Sequence, residues 1–275
     1  MTSYARGSRL WAATACLLAA PALWAQEFVG LVFPVADVQL SVPVAGVVSS
    51  VQVKLGDRIQ RDQVVLQLTQ RTQALELKRR EVVAADDSSL KAAQQRRALI
   101  DELTDMTREV VERSQAISRE EWMKMRLDQV SAVSNEAQQR AQKERERVER
   151  QQAQHELAQR SLRAPRQGVV VAIDVEPGEW AKPGDGVVRL VDVSQVEVRL
   201  NVSMAAASRL RVGSAWAARF EGAGAAPRGG KVSFVSPVAD AASGLVEVRL
   251  RFDNAQGDLR PGTKATVSIG AAEAS

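Results

Sequence analysis

Apolar residues recur along this chain with two different periods. Up to about residue 68 and again after residue 163 they alternate with polar ones, as strands require, whereas between these limits they fall three and four residues apart, as on a helix. From Thr69 to Arg163 there is no glycine or proline, and Ala, Gln, Glu, Arg, Lys and Leu dominate, so the block is helical. One helix of that length would measure about 140 Å, and a break near its middle is expected. Ser118-Arg119-Glu120-Glu121 supplies one: a Ser-x-x-Glu box starts a new helix, and Ile117 before it and Trp122 after it stand as a hydrophobic staple. The reading is an antiparallel helical hairpin over 69–163, with two arms of about 65 Å and a tip near 114–118. Leu99, Leu103, Met106 and Val110, extended by Ala85 and Ala92, mark the expected seam of the first arm, and Met123, Val130 and Ala137 that of the second.

The flanks carry an internal repeat. Pro43-Val44-Ala45-Gly46-Val47-Val48, then Gly56-Asp57, reappears 122 residues later as Pro165-Arg166-Gln167-Gly168-Val169-Val170, then Gly178-Glu179. Val51 and Val53 fall on Ile173 and Val175 at the same offset. Each copy reads as strand, glycine turn, strand, with Gly46, Gly56, Gly168 and Gly178 as turn residues. Neither copy has enough apolar surface to fold alone, so the two pack face to face as a sandwich split by the hairpin. After Asp192 the alternation returns in Val196, Val198, Leu200 and Val202 and in Val246, Val248, Leu250 and Phe252, and a turn at Leu259-Arg260-Pro261-Gly262 precedes a last strand. A small antiparallel β-barrel accommodates these strands. The fold class is therefore mixed α and β. The expected layout is a signal peptide over 1–25, an N-terminal segment over 26–41, sandwich halves over 42–68 and 164–192 around the hairpin, a barrel over 193–271 and a tail over 272–275.

Charge removes one class of partner. A net +4 spread over 37 basic and 33 acidic residues makes no polyanion site, and within the helical block 19 Lys or Arg face 17 Asp or Glu, the balance of a solvated surface. No nucleic acid partner is expected. Arg6 and Arg9, the apolar run from Leu10 to Leu23, and Ala25 before Gln26 read as a secretory signal, with a retained anchor as the alternative because Leu23 stands where a small residue is usual. Cleavage after Ala25 removes Cys16, the only cysteine, so no disulfide framework is expected.

Chemistry finds no constellation. His155 is the only histidine and has no cysteine or second histidine for a metal site, Met106 occupies a seam position rather than a thioether site, and Ser118 has a capping role with no histidine beside it in sequence. Neither an enzyme nor a metal or cofactor site is expected.

The ordered set of Pro43/Gly46/Gly56-Asp57, the helical insertion, Pro165/Gly168/Gly178 and Leu259-x-Pro261-Gly262 resembles the membrane fusion proteins, periplasmic adaptors of efflux pumps and type I secretion systems. The resemblance implies that the sandwich is lipoyl-like and the hairpin a coiled coil. It implies a periplasmic adaptor between an inner-membrane transporter of the resistance-nodulation-division type and an outer-membrane channel, exporting small molecules, with copies in a trimeric or hexameric ring. The lysine that carries lipoate or biotin in related domains has no counterpart, because the hairpin takes its place. In drug-efflux members an Arg, a Leu and a Ser at the tip dock on the channel. Ser118 fits the serine and Val111 the leucine, while Thr107 stands at the arginine position with Arg108 next to it. The docking surface so implied is Arg108, Val111, Ile117, Ser118 and Trp122. A membrane-proximal domain is expected to be absent or vestigial, leaving the transporter to the barrel. The alternatives are an adaptor for type I protein secretion, with its N-terminal membrane helix retained, and a structural envelope coiled coil without a transporter.

Overall fold

The computed structural model describes residues 26–114, 117–224 and 226–269. The expected signal peptide, Gln115 and Ala116 of the expected tip, and the 272–275 tail lie outside the described residues. The chain forms two compact units, Val35–Val193 on one hand and Met1–Pro34 with Ser194–Ser275 on the other.

In the first unit the repeat becomes an exchange. Strands β2 (Gly46–Val51), β3 (Arg58–Ile59) and β4 (Val64–Leu68) belong to one copy, and β5 (Ser161–Arg163), β6 (Gly168–Ile173), β7 (Trp180–Ala181) and the start of β8 (Gly186–Ser203) to the other. Each copy's short turn strand pairs with the other copy's first strand: Arg58 opposes Val169 and Ile59 opposes Gly168, while Val47 opposes Trp180 and Gly46 opposes Ala181. The turns repeat the swap, since the Gly56 amide donates to Val170 O and the Gly178 amide to Val48 O, both at 2.9 Å. Both turns are stapled alike, Lys54 N donating to the Asp57 carboxylate and Glu176 N to the Glu179 carboxylate. Gly56 and Gly178 sit at φ +87° and +97°, where a Cβ is strained. Gly46 and Gly168 have a different reason to be glycine: they start strands in close quarters. A Cβ on Gly168 would lie 2.9 Å from both the Leu190 side chain and Val191 O, and one on Gly46 2.8 Å from the Arg160 guanidinium. The apolar residues that alternate inward, including Val65, Leu66, Leu68, Val170, Val187 and Leu190, are at most 2% exposed.

Between β4 and β5 run three helices: α1 (Arg71–Ala85), α2 (Ser88–Ser114) and α3 (Arg119–Ala158). The first arm is thus broken at Asp86-Asp87, not continuous to the tip. Asp86 adopts an extended ψ of 100°, and its carboxylate accepts from Ser88 N at 3.0 Å, as an Asx cap does at a helix start. The second arm runs unbroken opposite this gap.

The second unit pairs strands in the order β1 (Gln26–Ser41), β12 (Lys264–Ile269), β9 (Ala215–Phe220), β10 (Arg228–Ala239), β11 (Leu245–Asp253) and β8, and β1 also pairs with β8. The four-residue helix α4 (Met204–Ala207) follows β8. Inward residues of β8 and β11 face each other, Val196 opposing Phe252 and Leu200 opposing Val248, and Phe252 meets Phe220 edge-on at 5.0 Å between centroids. Gly262 turns at φ +91°, and its amide donates to Val32 O.

Two expectations about the chain ends of these units change. Residues 26–41 are not a lead-in segment: β1 is one strand whose first part pairs with β12, Gln26 to Leu31 opposing Ile269 to Lys264, with Val32 only 1% exposed. Alternation is hidden there because Val29 and Leu31, which face out, are as apolar as the inward Phe28 and Val32. Similarly, the two strands expected around Asp192 are a single 18-residue strand, β8.

Candidate functional site

The tip is built on a helix start. Ser118, at φ −68° and ψ 149°, is the N-cap of α3: its hydroxyl accepts from Glu121 N at 3.2 Å, and the Glu121 carboxylate accepts from Ser118 N at 3.2 Å. Glu120 and Glu121 put negative charge on the first turn, where the helix dipole favours it. Ser118 is exposed, Ile117 and Trp122 half-buried, and Trp122 N donates to Ser118 O as the first bond of the helix. On α2, Val111 is half-buried, whereas Arg108 is exposed and pairs with Asp105 of its own helix at 3.6 Å. Val111 and Trp122 therefore belong to the lines along which the two arms face each other, and Arg108 and Ser118 to the surface. The glycine and proline turn residues Gly46, Gly56, Gly168, Gly178, Pro261 and Gly262 lie on strands and turns of the sheets, away in sequence from the tip.

The seam between the arms is not the one expected. Leu99, Leu103, Met106 and Val110 are 47–62% exposed, and Met123 and Val130 are 56% and 61% exposed. The buried line of α2 runs one residue later, through Ala93, Arg97, Ile100, Thr104 and Thr107, and that of α3 one residue earlier, through Trp122, Gln129, Ala132, Glu136 and Lys143. Both lines keep the three-four spacing of a coiled coil, so the period is the same and only the face differs.

Polar rungs hold this seam. Gln129 Nε2 donates to Asp101 at 2.7 Å, Arg97 bridges Asp101 at 3.3 Å and Glu136 at 2.7 Å, and Arg140 reaches Glu136 at 2.6 Å. The Arg97 guanidinium holds the Glu136 carboxyl below the usual glutamate range, against the opposing effect of its burial. Arg80 joins Glu76 of its own arm to Glu149 of the other, and hydrogen bonds from Arg79 and Arg80 hold the Glu76 carboxyl low in the same way. Thr104, with no exposed surface, spends its hydroxyl on Ile100 O at 2.7 Å.

Lys143 closes the gap at Asp86-Asp87. Its buried ammonium donates to Asp86 O at 2.6 Å and, at 3.4 Å, to Val83 O, which also accepts from the Asp86 amide at the end of α1, and it pairs with Asp87 at 3.2 Å and Glu146 at 3.4 Å. One residue of the unbroken arm thus caps the broken one. The run Asp86-Asp87-Ser88-Ser89, four residues that favour caps over helix interiors, was the available signal for this break.

Among the described residues no cluster of His, Cys, Asp or Glu could hold a metal ion, and His155 contacts only Gln159 of its own helix turn at 3.0 Å. No described helix is long and apolar enough to cross a membrane. What the geometry offers is a capped tip and two polar-stapled arms with lines of exposed apolar residues such as Leu99, Leu103 and Met106.

Comparison with known proteins agrees with the two units. Residues 36–192 match the family model of the CzcB-like barrel-sandwich hybrid domain, and residues 195–273 that of the CusB-like β-barrel domain. The fold is shared with MacA from Actinobacillus actinomycetemcomitans, at a TM-score of 0.64 and 16% identity over 89% of this chain and 78% of that one. It is shared too with the membrane fusion protein Spr0693 from Streptococcus pneumoniae R6, at a TM-score of 0.54 and 15% identity over 88% and 97% of the two chains. Nodulation protein NolF from Rhizobium meliloti (strain 1021) is 26% identical over 159 residues, which are 58% of this chain and 43% of that protein's length. Since one family model spans more than half of its residues, this chain belongs to the CzcB-like barrel-sandwich hybrid family, carrying behind that domain a β-barrel of the CusB-like type.

Proposed function

We propose that this protein is a periplasmic adaptor that joins an inner-membrane transporter of the resistance-nodulation-division type to an outer-membrane channel for export of small molecules. The observation that carries this reading is the insertion of a capped two-arm hairpin between the two halves of one interlocked sandwich, followed by a barrel: it is the order of parts found in the family. In this reading 42–68 and 164–192 are lipoyl-like halves, 69–163 is a coiled-coil docking hairpin, and 193–271 is a barrel that meets the transporter. Residues 1–25 are a cleaved export signal. The tip, with Arg108, Val111, Ile117, Ser118 and Trp122, meets the channel, and several copies form a ring. The protein acts mechanically, by sealing a conduit and passing transporter movement to the channel.

The test is detergent extraction of native envelopes carrying the full chain with a C-terminal tag, then identification of what copurifies and of the mature N-terminus. A transporter and a channel recovered with a chain starting at Gln26 is the expected result. An ATP-driven exporter with residues 1–25 retained, or neither partner after crosslinking, refutes it. In the same assay Ser118→Pro removes the cap and is expected to lose the channel while keeping the transporter.

A further inference from the structure

The strand registers of the second unit bring several segments to one end of the barrel. Strand β1 starts there, with Gln26 opposite Ile269 of β12. Strand β8 ends there, with Ser203 opposite Leu245, and α4 follows directly. Strand β9 starts there, with Ala215 opposite Lys231, after a loop in which Gly213 N donates to Val232 O and Ser214 N to Arg211 O. The β10–β11 hairpin turns there, Gly244 N donating to Asp240 O. Neighbouring strands are antiparallel from β1 through β12, β9, β10 and β11 to β8, so these starts, ends and turns all fall at the same level.

What this end shows to solvent is apolar and basic. Met204 in α4, Val212 in the loop and Val238 before the hairpin turn are 63%, 67% and 72% exposed, the last two more than any other large apolar side chain described. The core beneath is already closed by Ala206, Ala207 and Leu210, so it does not need them. Arg209 and Arg211 stand in the same loop and Lys231 beside its end, all exposed and in no salt bridge among the described residues. The acids nearby are largely engaged: Glu27 pairs with Arg219, Glu247 pairs with Arg249, and Asp240 at the hairpin turn accepts from Ser243 N and Oγ, both at 2.8 Å. The whole chain is close to balance, with 37 basic and 33 acidic residues, so this excess of cations is local.

We propose that this end of the barrel rests on anionic phospholipid headgroups of the inner membrane, Arg209, Arg211 and Lys231 meeting phosphates while Met204, Val212 and Val238 sink between them. Cations beside exposed apolar side chains are what holds a protein at an acidic lipid surface, each cation strengthening the contact roughly fivefold. The three apolar residues stand on separate segments, so each can enter a fluid surface independently, whereas a folded partner would have to match all three at once in shape. Gln26 comes directly after the apolar run 10–23, and on the reading of residues 1–25 as an export segment the chain leaves the membrane at this same end. The inference rests on the adaptor reading for which membrane is met, and adds a contact that needs no transporter.

The experiment uses the full chain with a protease site placed between Ala25 and Gln26 and cut before the assay, so that the 10–23 run cannot itself hold the protein on lipid; all described residues lie beyond the cut. Cosedimentation is measured with vesicles of phosphatidylcholine alone and with vesicles in which roughly 30% of the lipid is phosphatidylglycerol. Binding about tenfold tighter or more to the anionic vesicles, and lost in high salt, is the expected result. Arg209→Gln with Arg211→Gln should weaken it roughly twentyfold and Met204→Ser with Val238→Ser several-fold, whereas Lys124→Gln with Arg126→Gln, which takes the same charge from exposed positions of α3, should change it by less than about twofold. Unchanged thermal unfolding of each variant separates lost contact from misfolding. Equal binding to the two kinds of vesicle, or an equal loss from the α3 variant, overturns the lipid contact. An Arg209, Arg211 variant that stays on anionic vesicles but no longer recovers the transporter from detergent extracts overturns it too, and makes this end a protein contact. The expected lipid binding from a chain that recovers neither transporter nor channel refutes the adaptor reading alone.

Discussion

The sandwich and the hairpin belong to one compact unit yet are held together by opposite chemistry. In the sandwich, Val65, Leu66, Val188 and Leu190 are at most 1% exposed, and burial of apolar surface sets the fold. Among the described residues of the hairpin, those shut away from water are Thr104, Glu136 and Lys143 with a few alanines, while Leu99, Leu103, Met106, Met123 and Val130 are exposed. Small and polar residues at the seam let the arms lie close and fix their register through directed bonds.

The sharpest way to break this contrast is to remove matching leucines from both places. Leu66→Ala in the sandwich should cost about 2–5 kcal/mol in urea unfolding of the isolated chain, because it empties a core position. Next in size is Lys143→Ala, which takes the ammonium donor from the Asp86 carbonyl at the break and should cost about 1–3 kcal/mol, seen as earlier loss of helix on heating. Equal stability of this variant and the parent would show that the gap needs no cap. Ser118→Ala should cost about 1 kcal/mol, confined to the tip half and measured by faster amide exchange there. The polar seam also predicts a pH response. The Glu136 carboxyl is held below its unfolded value, so its contribution is complete above the ordinary glutamate range and is lost as the pH falls through the lowered folded value. Hairpin helicity should fall on acidification in the parent and less so in Glu136→Gln, followed at 222 nm. The smallest effect is the most telling: Leu103→Ala should change monomer stability by no more than about 0.5 kcal/mol, despite removing a leucine. A cost near that of Leu66→Ala would mean that Leu103 lies in the seam after all.

Some of this architecture was open to reading and some was not, for physical reasons. The 122-residue repeat was legible because both halves of an interlocked module need the same turn and the same inward residues. The helix start at Ser118 was legible because capping is local. The seam was not. Two lines with identical spacing run one residue apart on each arm, and periodicity reports that a stripe exists without saying which neighbour covers it. The usual assumption that leucine turns inward picked the wrong line. The break at Asp86-Asp87 was hidden by the absence of glycine and proline, although two aspartates and two serines in a row carried the message. The strand role of residues 26–34 was masked because apolar residues point both ways. The capped tip could be drawn from residues alone, but the Lys143 bridge depends on a partner 57 residues away and has no local trace.

The exchange of turns between the two sandwich halves has a kinetic side. When the first half has been synthesised, the strand that must receive its turn, β6, lies more than 100 positions ahead. Bringing such distant segments together by random search costs loop entropy and time. Helices form early and locally, and two arms zipped from the tip would deliver both halves to the same place. The hairpin is in that sense the sandwich's own chaperone. Lengthening both arms by one heptad should leave refolding of the sandwich nearly unchanged, whereas lengthening one arm alone should offset the halves and slow it.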